Sequence, residues 1–296
     1  EKMKVLITGS TGLLGSEIKQ KLISKNFIII GIARSPKDNF EIKADLTNEK
    51  DILKIAELDF DCIIHTAAWR NPEQCEKDKN YCYKINVNAT EALAKIARDK
   101  NAFFFHISTD YVFSGENPPY YEYSQPSPVN YYGETKAQAE EIVKQVSKNI
   151  ILRVPLLYGT AAGVKNSAVL QNMISALKSN REWPMEDSIV RFPTYTGDVA
   201  EVILFLINKR ETGIFHFSGQ DKTTRYKMTL DFAEVMEMNP KNIIRLPEPP
   251  PSEVRRPLNS QLSIEKILSK GFSLPLPFKE RLKIMKKQIL TEFKNL

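Results

Sequence analysis

Short apolar runs alternate with helical stripes along the first half of the chain. Residues 5–7, 27–33 (FIIIGIA), 62–66 (CIIHT) and 102–108 (AFFFHIS) are continuous apolar stretches without a helical period, the signature of strands buried on both faces of a parallel sheet. Between them, Leu14, Ile18 and Leu22, and then Val87, Leu93, Ile96 and Ala97 within residues 86–100, are spaced so that a helix gains one apolar side. Residues 41–46 (EIKADL) predict a short third strand, residues 50–56 a helix after it, and residues 150–159 (IILRVPLLYG) a sixth strand interrupted at Pro155. This alternation predicts an α/β protein built on a Rossmann-type doubly wound parallel sheet.

The second half changes rhythm. Residues 166–177 predict a helix with Val169, Met173, Ile174 and Leu177 on its apolar side. A segment at 191–196 (RFPTYT), a helix over 198–207, a strand over 213–219 (GIFHFSG) and a helix over 225–236 then read as a smaller lobe. Residues 278–293 close the chain as an amphipathic helix, with Phe278, Leu282, Met285, Ile289 and Phe293 along one side and lysines along the other. That helix reads either as a packed surface element or as a docking element for a partner. The expected division is a sheet domain over residues 1–160, with 195–210 returning to it, and a smaller C-terminal α/β lobe over 161–296.

Composition acts mainly by exclusion. With 296 residues, 42% of them hydrophobic, the chain can bury one large core, or one large and one small. It holds no apolar run long enough to span a bilayer, and the first strand starts without an apolar leader, so a cytosolic protein is expected. Cys62, Cys75 and Cys82 lack Cys-x-x-Cys spacing and His65, His106 and His216 are scattered, so neither a metal site nor a disulfide framework is expected. A net charge of +6, from 42 basic and 36 acidic residues, suits anionic small molecules or an acidic partner and by itself argues no nucleic-acid role.

Chemistry concentrates at a few positions. Gly9, Gly12 and Gly15 fall three apart between the first strand and its helix, where missing side chains let backbone amides approach a pyrophosphate. Thr8, Ser10 and Thr11 add hydroxyls, and Leu13 and Leu14 open the helix whose N-terminus favours an anion. Arg34 and Ser35 end the second strand where a carboxylate would suit NAD, so the spacing favours NADP, unless Arg34 is only a solvated cation. Asp45, with Leu46 behind it, is placed to touch an adenine or to cap the helix that follows. Ala67 and Ala68 are small enough for a cofactor to cross the backbone, whereas His65, inside an apolar strand, reads as a core histidine.

Ser108, Thr109 and Asp110 leave the fifth strand at its carboxyl end, where ligands bind in such sheets. The proline- and tyrosine-rich loop over 116–130 is expected to form a substrate wall. Tyr132 and Lys136 lie four apart and share one helix face, so an ammonium there would lower the phenol's pKa; Tyr131 has Thr135 in that place instead. In this reading Thr109 hydrogen-bonds a substrate carbonyl, Tyr132 gives the proton, and Lys136 also holds the cofactor's ribose. Pro155 leads the chain over the nicotinamide. Arg255, Arg256, Pro257, Asn259 and Gln261 form a polar cluster behind the prolines of 247–251 that either clamps a phosphate, with Arg256 and Asn259 as contacts, or serves a lobe or subunit contact.

TGSTGLLG, STDYVFSG and YYGETK resemble the extended short-chain dehydrogenase/reductases, and STDYVFSG resembles their dTDP-4-dehydrorhamnose reductase branch. NPPYYEYSQPSPVNYYGETK, LRVPLLYG, RFPTYTGDVA, GIFHFSG and RRPLNSQL are most similar to the regulatory beta subunits of methionine adenosyltransferase, which belong to that branch. The resemblance implies an NADP(H) site, and a tyrosine-lysine pair, in a chain that binds the methionine adenosyltransferase catalytic subunit. The alternative it implies is an NADPH-dependent reductase of a 4-keto deoxysugar nucleotide, for which Thr109, Tyr132 and Lys136 form a complete set. One departure bears on that alternative: the reductases carry an aromatic-containing RTSWVYG-like strand where this chain has RVPLLYG, which removes a sugar-stacking side chain.

Overall fold

The computed structural model describes residues 2–249 and 251–293. Its strands run, in chain order, β1 (Lys4–Thr8), β2 (Ile28–Ala33), β3 (Glu41–Lys43), β4 (Cys62–His65), β5 (Phe103–Thr109), β6 (Asn149–Val154), β7 (Leu157–Tyr158), β8 (Trp183–Glu186), β9 (Thr194–Tyr195), β10 (Gly213–His216) and β11 (Ile243–Leu246). The helices are α1 (Leu13–Ser24), α2 (Glu49–Glu57), α3 (Pro72–Lys77), α4 (Lys79–Tyr83), α5 (Ala89–Asp99), α6 (Tyr131–Val143), α7 (Ala168–Lys178), α8 (Thr196–Asn208), α9 (Arg225–Met236), α10 (Glu265–Ser269) and α11 (Phe278–Phe293). None of them is long and apolar enough to cross a membrane.

A seven-stranded parallel sheet in the order β10-β6-β5-β4-β1-β2-β3 organises the chain. Side chains alternate across it with the period of two that a pleated strand imposes. Val5, Ile7, Ile64, Phe105, Ile150 and Leu152 face a layer made by α1 and α8, whereas Leu6, Ile63, Phe104 and Ile151 face α2, α5 and α6. The chain winds outward from β1 to β3 and then resumes at β4 on the other side of β1. That reversal opens a crevice at the carboxyl ends of β1 and β4, where ligands of such sheets bind.

A second core forms from Met173 and Ile174 of α7, Met228 and Phe232 of α9, and Phe278, Leu282, Met285 and Ile289 of α11. Burying four large side chains of α11 contributes on the order of 6–12 kcal/mol before chain entropy is set against it, so this stripe is a packing surface. The side chain of Phe293, expected on the same stripe, lies outside the described residues. The division expected from the sequence differs in one respect: the strand at 213–216, assigned to the lobe, is the edge strand β10 of the main sheet beside β6. Its partner there is apolar, and Phe215 and Phe217 complete the first core, which also takes Ile267 of α10. On the outer side of β10, Lys266 Nζ donates to the Ile214 carbonyl at 2.5 Å and the His216 amide donates to Glu122 at 3.1 Å.

A buried ion pair joins the sheet to α6. Arg153 of β6, 1% exposed, donates from Nε to Glu140 Oε1 at 2.9 Å and from Nη2 to Oε2 at 2.6 Å, and Glu140 is 0% exposed. Ser108 of β5 donates to the same carboxylate at 2.5 Å, Arg153 Nη1 lies 3.2 Å from His216 Nε2, and the Phe113 ring lies 5.0 Å beneath the guanidinium. Such a pair repays its desolvation only while every partner is present. We predict that Glu140→Gln costs about 3–5 kcal/mol in urea unfolding, because it strands a buried guanidinium, and that Glu140→Met with Arg153→Met costs less than the single change. A single-variant loss under about 1 kcal/mol would contradict this account.

Candidate functional site

The glycine turn closes on itself before the helix begins. Gly9 has φ +68°, in the left-handed region that a side chain rarely enters, and its amide donates to Ile32 of β2 at 2.9 Å. Gly12 donates back to Gly9 at 2.9 Å and ends the turn without a side-chain cap, so the first amides of α1 are left for a ligand. A Cβ on Gly15 would sit 2.1 Å from the Gly9 carbonyl oxygen, so only glycine lets α1 press this close.

A cavity of about 730 Å³ extends from this turn across the carboxyl ends of β1, β4, β5 and β6 to the second lobe. Gly9, Thr11, Gly12, Leu13, Leu14 and Gly15 line one end, together with Arg34, Ser35 and Leu46; Ala67, Ala68 and Pro155 line its middle. Arg34 is exposed at the mouth, with Nη1 3.2 Å from the Tyr81 hydroxyl. Asp45 does not cap the helix that follows. Its carboxylate accepts from the Thr47 amide at 2.9 Å and hydroxyl at 2.7 Å, which turns it into the loop, and α2 is capped by Asn48 instead.

Ser108, Thr109, Asp110, Tyr132 and Lys136 all reach the cavity, but their chemistry departs from the expected pattern. Tyr132 is buried with the Thr109 hydroxyl close by, and burial holds its phenol above the ordinary tyrosine range despite that neighbour and the Arg70 charge. The expected lowering by Lys136 is absent because the ammonium is spent elsewhere. Lys136 Nζ donates to the Ile107 carbonyl at 2.8 Å and to His106 Nε2 at 3.1 Å, and burial pulls its pKa down to about 8. Ser108 donates its hydroxyl hydrogen bond to Glu140, so that hydrogen faces the core. Asp110 accepts from Ser260 and from Thr109, and burial pushes its carboxyl up to about 6.

Several expectations are corrected by the surroundings. Of the two alternatives for Arg256, it makes the lobe contact, an ion pair with Glu73 at the cavity wall, whereas Asn259 stays outside the cavity, accepting from the Gln261 amide at 3.2 Å. The loop over 116–130 is not part of this cavity's wall; its Tyr121, Glu122 and Tyr123 line a separate open cavity with Ile214 and Lys266. Tyr120 instead accepts from the amides of Gly115, Glu116 and Asn117 at 3.0–3.1 Å and pairs with Leu262, folding the loop onto the C-terminal segment. Cys75 and Cys82, for which no pairing was expected, form a disulfide beside Tyr132, because α3 and α4 meet at Asp78 and bring the Cα atoms to 5.1 Å. Cys62 is buried and free.

The sequence reading missed Arg191, Arg225, Trp69, Glu73 and Tyr81 on the cavity wall. Arg191 opens the otherwise uncharged RFPTYT stretch, and that isolated charge was the available signal. It also missed His106, whose imidazole is fixed against Lys136. His65 is the core residue expected, with Nδ1 2.7 Å from the Thr8 hydroxyl and Nε2 3.0 Å from that of Thr90.

Comparison with known proteins follows the same outline. The family described as RmlD substrate binding domain matches residues 3–291. Methionine adenosyltransferase 2 subunit beta of Mus musculus is 34% identical over 287 residues, covering 95% of this chain and 86% of that protein. A dTDP-4-dehydrorhamnose reductase of Bacillus anthracis, solved in complex with NADP, superposes with a TM-score of 0.85 at 27% identity, over 99% of this chain and all of the other. One from Clostridium acetobutylicum gives a TM-score of 0.85 at 30% identity, over 98% of this chain.

Burial fixes the charge of all three histidines. It pulls His65 and His216 down to about 3 and His106 well below its ordinary value, with the Lys136 charge adding to the effect at His65 and His106 and that of Arg153 at His216. None of the three imidazole signals should titrate between pH 5 and 8 in an NMR titration; a midpoint near 6.5 for any of them would refute the assignment. The linkage has a definite sign. Below pH 6.5 the unfolded chain binds protons that the folded chain refuses, so each histidine lowers stability by about 1.4 kcal/mol per pH unit as pH falls towards its folded value.

Proposed function

Because the chain belongs to the RmlD substrate binding domain family, we propose that it is an NADP(H)-binding regulatory subunit of a methionine adenosyltransferase, carried on a reductase fold. The observation that carries this reading is the 34% identity to the mouse beta subunit, which extends over 95% of the chain and so includes the second lobe as well as the glycine turn. The cytosolic location expected from the sequence is part of the same reading.

The residues at the turn fit the cofactor. Uncapped amides at the start of α1, a Gly15 with no room for a side chain and the open end of the cavity suit a pyrophosphate. Arg34 and Ser35 stand at the end of β2, where a guanidinium and a hydroxyl suit a 2'-phosphate. When bound, NADPH supplies a hydride. Near its reactive end Lys136 is tied to His106 and the Ile107 carbonyl, and the RVPLLYG strand lines the cavity with Leu156 and Leu157 while its Tyr158 is buried away from it, so that strand presents no aromatic face to a sugar. These features favour the regulatory reading over the reductase of a 4-keto deoxysugar nucleotide.

Adding the purified chain to a methionine adenosyltransferase catalytic subunit is expected to form a stable complex on size-exclusion chromatography and to change KM or Vmax by at least about twofold. Separate elution with unchanged kinetics would end the proposal. Cofactor choice is tested independently by calorimetry. NADP is expected to bind at least about tenfold more tightly than NAD, and Arg34→Ala to erase that preference by removing a charge-assisted bond. Equal affinities in the parent protein would reverse the assignment.

A further inference from the structure

Residues 69–83 build one wall of the cavity, and a covalent bridge within that segment has no part in the cofactor reading. Trp69, Arg70, Glu73 and Tyr81 line the cavity. Cys75 of α3 and Cys82 of α4, both 0% exposed, are joined in the same segment. Tyr81 directly precedes Cys82. Its hydroxyl accepts from Arg34 Nη1 at 3.2 Å, and its ring stands edge-on to Trp69 with centroids 4.7 Å apart.

The two helices are anchored unequally. On α3, Glu73 pairs with Arg256, and Glu76 accepts from the Tyr131 amide at 2.8 Å, which ties the helix to the start of α6. By contrast, α4 has five residues and runs into α5 through a turn of π-helix, Lys84–Asn88. That turn is one residue wider than an α-helical one, so a change of register there moves α4 relative to α5. Two unbonded sulfurs need about 1.5–2 Å more separation than a bonded pair at about 2.05 Å. Both cysteines sit in a packed cluster with Tyr132, Trp69, Tyr111 and Tyr131, which leaves no slack for that separation. Opening the bridge therefore displaces α4, the less anchored helix, and Tyr81 with it. Arg34 then loses the hydroxyl that steadies its guanidinium at the cavity mouth.

We propose that the Cys75–Cys82 bridge is a reversible thiol–disulfide switch that sets the cavity's affinity for a 2'-phosphorylated dinucleotide, with Tyr81 as the positioning residue that carries the effect to Arg34. The switch rests on the NADP(H) reading above. In the cytosol, where thiols are kept reduced, the disulfides that do form are usually transient and catalytic or redox-sensing. A glutathione thiolate attacks one bridging sulfur, and the other leaves as a thiolate and takes a proton. A second glutathione then resolves the mixed disulfide, so two glutathione thiols become one glutathione disulfide as the bridge becomes two cysteine thiols. Glutathione disulfide, as the oxidant, drives the reverse. Because both sulfurs are buried, exchange waits for the two short helices to part.

The test equilibrates the full chain in glutathione buffers of graded ratio and counts the free thiols of Cys75 and Cys82 by alkylation and mass spectrometry. Calorimetry then compares NADP and NAD binding to the oxidised and reduced forms. The oxidised form is expected to bind NADP at least about fivefold more tightly, whereas NAD, which offers Arg34 no phosphate, should differ by less than about twofold. By reciprocity, saturating NADP should raise the oxidised-to-reduced ratio in a given buffer by the same factor, a shift that a bridge serving stability alone would not show. Tyr81→Phe is expected to lower NADP affinity of the oxidised form to that of the reduced one, with the thiol titration without ligand unchanged. Equal NADP affinity in the two forms, or a bridge that stays wholly closed or wholly open across the buffers, would overturn the switch and leave the cofactor reading standing. A redox difference that survives Tyr81→Phe would overturn the route through Arg34. Binding of neither dinucleotide in either form would remove the cofactor reading and the switch with it.

Discussion

The buried contact between Arg153 and Glu140 is the constraint on which the site depends. One partner belongs to β6 and the other to α6, and Ser108 of β5 and His216 beside it complete the set. Glu140 lies one helical turn after Lys136 and two after Tyr132, so fixing its carboxylate fixes the rotation of α6 about its axis. That rotation decides whether the phenol and the ammonium face the cavity. Two charges taken out of water in this way tolerate few geometries, which is how an energetically expensive pair can set the register of a helix on a sheet.

The same region shows why a motif and its chemistry can diverge. Tyrosine and lysine four apart do share a face, yet the ammonium is drawn to the Ile107 carbonyl and to a neutral imidazole, and the phenol is left in a poorly solvated corner beside the Cys75 and Cys82 pair. Spacing places the groups; the partners they find determine their charge. His106 is the residue that makes this difference, and nothing about a histidine within AFFFHIS separates it from His65 before the strands are aligned. In the sheet the two are register partners on β4 and β5, with ring centroids 5.5 Å apart, but only one of them meets Lys136.

Much of the fold was legible because its signal is local. The apolar runs became β1, β2, β4, β5 and β6, and the glycine spacing marked the turn at the sheet's reversal point. What escaped depended on contacts between distant segments. The strand at 213–216 follows lobe elements in sequence, and only pairing with β6 places it in the main sheet. Asn259 read as equivalent to Arg256, but a local turn holds it outside the cavity, while Arg225 reads as a surface residue at a helix start and is brought to the cavity by the second core. Cys75 and Cys82 are seven residues apart, a separation that signifies nothing until two short helices meet at an angle between them.

The outer border of β10 has a consequence for how the molecule behaves in company. A terminal strand offers its amides and carbonyls to any passing backbone, and that is the route by which sheets fuse into fibres. Here the Ile214 carbonyl is occupied by an ammonium and the His216 amide by a carboxylate, so an incoming chain would have to strip two ions of their partners before it could pair. At the far border β3 is only three residues long and carries Glu41 and Lys43. Both rims are therefore poor templates, and a parallel sheet of seven strands can stay in solution without recruiting an eighth.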